Sequence, residues 1–198
     1  MKKSLINKFI SQERFNSYTN LDEYNQNLIL SKNAYIPLSI LEVTLKNSIN
    51  EHLSVKVGQN WYENQEFLTQ DSLKKVNDAK NILFKRGEKI TKSKIVAELS
   101  FGFWVNLFKK PYAKKLRTYD LKKIFLNLPS KKDKIISREI LYKELNHIRN
   151  FRNRVFHYEK ILNKDNFENI FDEIYELLEF FDSELSQYAR DLNNESII

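Results

Sequence analysis

Three glycines and three prolines in 198 residues leave this chain few places to turn tightly. An all-β domain needs a turn about every 8–12 residues, usually built on Gly or Pro, so the scarcity points to long helices. The apolar pattern agrees. Phe167, Ile170, Phe171, Ile174, Leu177, Leu178, Phe181 and Leu185 recur at three- and four-residue steps, with Glu and Asp on the opposite face. Hydrophobic residues make up 41% of the chain, with 14 Phe and 10 Tyr, too aromatic for a disordered protein and enough to bury a core. The expected fold is all-α, an antiparallel helical bundle in one domain spanning residues 1–198.

The spacing predicts helices over residues 4–15, 21–35 and 37–53, with Pro37 in a first turn or at a kink. Residues 57–64 read as a loop. A helix over 71–85 stops at Gly87, and Thr91 or Ser93 caps another that runs to Phe108. Lys110-Pro111 breaks the pattern, and short basic helical pieces follow to Pro129. Ser130 with Asp133 resembles a capping box opening a long helix towards Tyr158. The last helix covers 167–185. Residues 1–20 read as a helical extension, 109–134 as a basic insert and 190–198 as a flexible tail.

Several chemistries find no support. There is no Cys, hence no disulfide or thiolate metal site. His52, His147 and His157 have no metal-ligand spacing, and no Gly-rich loop is present to cradle phosphates. The amino terminus starts like a signal peptide, but its apolar run breaks early and lacks a small-residue cleavage site. No segment of the sequence approaches the apolar run needed to span a bilayer, so a cytoplasmic, membrane-free protein is expected. The aromatics of "LSFGFWVNLF" read as core, with Gly102 allowing close helix approach, and Trp61 and Tyr62 as a packed loop anchor.

Charge is segregated within a net +7. Residues 109–134 carry a local balance of +8, and residues 159–195 one of −8. A surface that faces a polyanion, separate from an acidic face, fits this asymmetry; so do two solvated helix faces of opposite sign.

The segment "HIRNFRNRVFHYEK", residues 147–160, is the densest in reactive groups. At about 100° per residue, Arg149, Asn153 and His157 form one helical stripe, bordered by Arg152. Leu145, Ile148, Phe151 and Val155, with Phe156 as a further candidate, anchor the other face. Such a set suits phosphodiester cleavage in RNA: His for proton transfer, Arg for phosphorane charge, Asn153 for orientation. One His does not easily serve as both acid and base; a second copy of the chain supplies another. The same residues also suit a solvated patch that complements the helix dipole. Glu42, Lys46 and Asn47 form a second group, in which Glu42 either holds Arg149 or Arg152 or pairs locally with Lys46.

"RNRVFH", residues 152–157, matches the R-N-x-x-x-H motif of HEPN-type ribonucleases. The wider "LNHIRNFRNRVFHYEKI" resembles the Abi-like (abortive infection) branch, as do "LSILEVTLKNSINEHL", "GQNWYEN" and "ELSFGFWVNLF", in that order. The likeness runs over residues 28–181. It implies an all-α HEPN-like bundle that dimerises so that two motifs face each other, cutting RNA without metal or other cofactor. Products would be a 2′,3′-cyclic phosphate and a 5′-hydroxyl, in phage defence or a toxin-like system with an antitoxin or companion RNA. Arg152, Asn153 and His157 would be catalytic, with Glu42, Lys46, Asn47 and Tyr158 in support. RNA contacts would fall to Arg149, Lys109, Lys110, Lys114, Lys115, Arg117, Lys122 and Lys123. Two positions depart from the pattern: Tyr158 stands where many relatives have a second His, and Lys46 where an Arg is common. A non-catalytic RNA-binding or regulatory module is the alternative, and a purely structural helical protein the third reading.

Overall fold

The computed structural model describes residues 3–130, 132 and 134–194. Among them the fold is all-α, with no strand. Its axis is a 36-residue helix. Before it come α1 (Lys3–Phe9) and α2 (Gln12–Phe15), separated at Ser11, so the single helix expected over 4–15 is two. Then α3 (Leu21–Lys56) runs unbroken through Pro37, joining what the proline had suggested were two helices. A helix-interior proline costs about 3 kcal/mol. Here the buried row Ala34, Pro37, Leu38, Leu41, Leu45, Ile49 and Leu53 keeps one register across it. Each Leu or Ile buried contributes about 1.5–3 kcal/mol, so the row outweighs the proline. By length and composition α3 would also suit a membrane span, contrary to the sequence expectation; here it packs against the helices around it.

After a 3₁₀ turn at Trp61–Glu63, α4 (Gln70–Lys85) is capped by Thr69 and closes at Gly87, as expected. The next predicted helix is divided into α5 (Lys92–Glu98) and α6 (Phe101–Asn106), because Leu99 and Ser100 are extended. A 3₁₀ turn (Lys110–Tyr112) and α7 (Thr118–Ile124) follow. These are no loose insert: Tyr112, Leu116, Leu121, Ile124 and Phe125 are buried in the same cluster as α3. The long helix α8 (Arg138–Phe156) starts at Ser137, whose hydroxyl accepts from the Ile140 N–H, rather than at Ser130. Asp133 of the proposed capping box lies outside the described residues.

The acidic C-terminal stripe is split into α9 (Ile170–Phe181) and α10 (Ser183–Asn194). Extended Asp182 makes the break and accepts from the Glu184 N–H at 2.8 Å, while the Asn127 N–H takes the Phe180 carbonyl at 2.9 Å. Residues 190–194, expected as tail, are thus helical, and 195–198 lie outside the described residues. Around α3 pack α6, α7, α8, α9 and α10. The core is dominated by Trp61, Trp104, Phe103, Phe108, Phe125 and Phe151. Trp61 packs against Trp104 at 5.7 Å between ring centroids and donates to Asn50 Oδ1 at 3.0 Å, a packed anchor as the sequence suggested.

Candidate functional site

Leu141, Leu145, Ile148, Phe151 and Val155 bury one face of α8, which leaves Arg149, Arg152 and Asn153 on the other. The helix ends at His157, whose N–H still reaches the Asn153 carbonyl at 2.9 Å. Beyond it, the Tyr158 N–H bonds Val155 O at 3.1 Å and the Glu159 N–H bonds Arg154 O at 2.9 Å. That pair of bonds is a Schellman cap, with Tyr158 in the left-handed region at φ 58°. The end of α4 solves the same problem with Gly87 at φ 68°. A side chain there costs about 1–2 kcal/mol, strain that the end of α8 retains. Arg14 Nη1 clamps the reversal from outside, donating to the Tyr158 carbonyl at 2.6 Å. The His157 backbone is therefore fixed while its ring is exposed.

Arg152 is held on two sides. Its Nε lies 3.3 Å from Glu42 Oε2, an ion pair that is off the line of a hydrogen bond. Its Cζ sits 4.4 Å from the Phe156 ring centroid, and Phe156 in turn meets Tyr35 of α3 at 6.0 Å. Glu42 thus pairs across to α8 rather than locally with Lys46, which has no ion-pair partner among the described residues. Asn47, five residues on, lies about 140° around α3 from Glu42 and is not brought to Arg152. Arg149 lies over α6, where a Cβ added at Gly102 would meet its Cδ at 3.4 Å, an ordinary contact distance. The buried polar side-chain atoms without a hydrogen-bond partner among the described residues, Asn106 Oδ1, Asn146 Oδ1, Arg149 Nε and Arg152 Nε, all belong to α6 or α8.

The other two histidines are engaged. His147 uses Nδ1 on Glu173 and Nε2 on the Asn166 carbonyl, both at 2.6 Å, and stacks on Phe167. His52 Nε2 lies 2.9 Å from Asp120, which also binds Lys56 at 2.5 Å. Burial pushes the Asp120 carboxyl up, but Lys56, the Arg117 N–H and His52 together hold it below its ordinary value. Only His157 of the three has a ring without a hydrogen-bond partner among the described residues. No three of His, Asp and Glu among those residues group as metal ligands.

The expected RNA contacts do not form one patch. Lys114, Lys115, Arg117 and Lys123 line a groove along the C-terminal half of α3, away from Arg152. Lys109 and Lys110 are exposed at the start of the 3₁₀ turn, with Lys109 over the Tyr142 ring at 5.9 Å, and Lys122 is exposed on α7 outside that groove. Lys115 is partly committed to structure, donating to the Phe67 carbonyl at 2.8 Å. Phe156, expected as a candidate anchor of the buried face, is instead 36% exposed and lies against Arg152. Sequence reasoning missed that pairing and Tyr35, although Arg152 and Phe156 are four residues apart and Tyr35 and Glu42 seven, spacings that share a helix face.

The molecule is, then, an all-α protein with a cationic helix end that presents Arg149, Arg152, Asn153 and an accessible imidazole. Compared with protein-family models, curated proteins and solved structures, the chain gives no match.

Proposed function

We propose that this protein is a metal-independent endoribonuclease of a bacterial anti-phage abortive-infection or toxin-like system, and that its site is completed by a second copy of the chain. The observation that carries the reading is the end of α8: an exposed imidazole at the C-cap, five residues beyond a guanidinium that Glu42 and Phe156 hold from two sides. In the reaction, a ribose 2′-oxygen attacks the adjacent phosphorus as its proton passes to a base. The P–O5′ bond breaks and O5′ takes a proton from an acid, giving a 2′,3′-cyclic phosphate and a 5′-hydroxyl. His157 is one of these two groups and the partner copy's equivalent is the other. Arg152 and Arg149 offset the charge on the phosphorane oxygens, and Asn153, one turn before His157, orients substrate or ring through neutral hydrogen bonds.

Exposed apolar groups flank the site, with Tyr35 58% exposed and Val43 46% exposed on α3, and Phe156 36% exposed on α8. These are the residues a second copy would cover. The test is end chemistry: EDTA-treated protein is incubated with single-stranded RNA and the fragments are weighed by mass spectrometry. Cyclic-phosphate and 5′-hydroxyl ends are expected. Intact RNA, or 5′-phosphate ends, would refute the proposal.

A further inference from the structure

A concavity of about 1190 Å³ lies apart from the end of α8. It lies between the C-terminal half of α3 and the segment 114–126. Its cations are Lys56, Lys114, Lys115, Arg117 and Lys123, against the carboxylates of Glu51, Glu66 and Asp120. Asp120 is already paired by Lys56 and His52, so it adds little negative field; its role is to pin α7 to α3. Apolar groups stand open on the same walls, with Val55 86%, Tyr119 69% and Leu126 77% exposed. Lys123 Nζ lies 5.4 Å from the Tyr119 ring centroid, so a cation and an exposed aromatic face are presented together.

A cationic channel with an aromatic face is what a single nucleic-acid strand requires: phosphates follow the lysines and a base stacks on the ring. Duplexes offer no free base face to such a ring. The position of the groove adds a geometric constraint. Glu42, which holds Arg152, and Lys56, at the groove, are both on α3. Their fourteen-residue separation places them about 21 Å apart along the helix and only about 40° apart around it. Lys46 stands between them on that side. At about 3.4 Å per nucleotide for a stacked strand, 21 Å corresponds to about six nucleotides.

We infer that this groove is a single-strand RNA track, with Tyr119 as stacking platform and Lys114, Arg117 and Lys123 as phosphate contacts, that grips the substrate about six nucleotides from the cleavage site. The inference rests on the proposed function for the identity of the strand, but its binding test does not require cleavage.

The experiment measures fluorescence anisotropy of a labelled single-stranded 12-mer RNA in EDTA, on the His157→Ala background so that the probe stays whole. Tyr119→Ala should weaken binding about tenfold, and Lys114→Ala with Lys123→Ala should flatten the salt dependence by about one unit of slope per lysine. In the parent protein, the same changes should raise KM for the 12-mer and leave cleavage of a four-nucleotide RNA unchanged. If the groove variants bind and cut the 12-mer like the parent, the groove assignment falls and the nuclease reading stands. If they lose binding while no form of the protein cuts RNA, the groove stands and the nuclease reading falls. Equal affinity for a 12-base-pair duplex, or no binding by the His157→Ala protein, overturns the track.

Discussion

Replacing Glu42 by Gln removes the charge that faces Arg152 with almost no change of shape. The pair is 3.3 Å apart, and its side chains are 28% and 25% exposed, so it is neither a surface pair nor a buried one. Exposed pairs contribute about 0.2–1 kcal/mol, and breaking a buried pair costs about 3–5 kcal/mol. A three-quarters-buried pair off hydrogen-bond alignment falls between these ranges and closer to the exposed one, so a coupling of about 1–1.5 kcal/mol is expected. The Phe156 contact at 4.4 Å adds about 0.5–1 kcal/mol to the cost of Arg152→Gln and is independent of Glu42. Urea unfolding of Glu42→Gln, Arg152→Gln and the double variant gives the coupling directly, provided that the m-values agree. Under the proposed function, Glu42→Gln should also slow RNA cleavage about tenfold, because Arg152 loses one of its two restraints. A coupling below about 0.3 kcal/mol would refute the claim that Glu42 holds Arg152.

Three further outcomes follow from the geometry. Tyr158→Gly relieves the left-handed strain at φ 58° but adds glycine's unfolded-state entropy, so a net gain of up to about 1 kcal/mol in urea unfolding is expected, and a loss would contradict the cap. Glu23 is held at about 2, below its ordinary 4.5, first by Lys160 and then by the Thr19 N–H and hydroxyl. Its folded value is depressed, so its contribution is whole above about 4.5 and disappears as pH falls towards 2. The melting-temperature gap between wild type and Glu23→Gln should therefore close over that window, and a constant gap would refute the tie. Gly102→Ala should be neutral or stabilising by up to about 1 kcal/mol in thermal unfolding, since its Cβ meets Arg149 at ordinary contact distance. Gly102→Leu would have to displace Arg149, and unchanged RNA affinity in that variant would argue against a phosphate role for Arg149.

How much of this was legible in the sequence depended on whether a local signal decided the outcome. Helix type was legible throughout, because it rests on periodicity, and Gly87 marked the end of α4 because the left-handed turn there favours glycine. The Tyr158 reversal had no such marker. Boundaries failed where tertiary packing overruled local rules: Pro37 did not stop α3 because the buried row continues across it. Asp182 broke an apparently continuous stripe because its carboxylate caps α10. At the candidate site, the α8 stripe was readable from spacing alone. The partners supplied by α3 were only half readable, since Glu42 suggested two possible arginines and nothing local chose between them. The basic run showed its charge but not its location, because tertiary packing sets Lys114, Lys115, Arg117 and Lys123 against the C-terminal half of α3 and leaves Lys109, Lys110 and Lys122 elsewhere.

The most direct test of the central claim is the ratio of kcat/KM for RNA cleavage by the EDTA-treated wild-type protein to that of His157→Ala. It should be read alongside melting temperature and sedimentation to show that fold and assembly persist. Loss of proton transfer should lower kcat/KM by about 100-fold or more, with both controls unchanged. A His157→Ala protein that cleaves RNA at the wild-type rate would contradict the account.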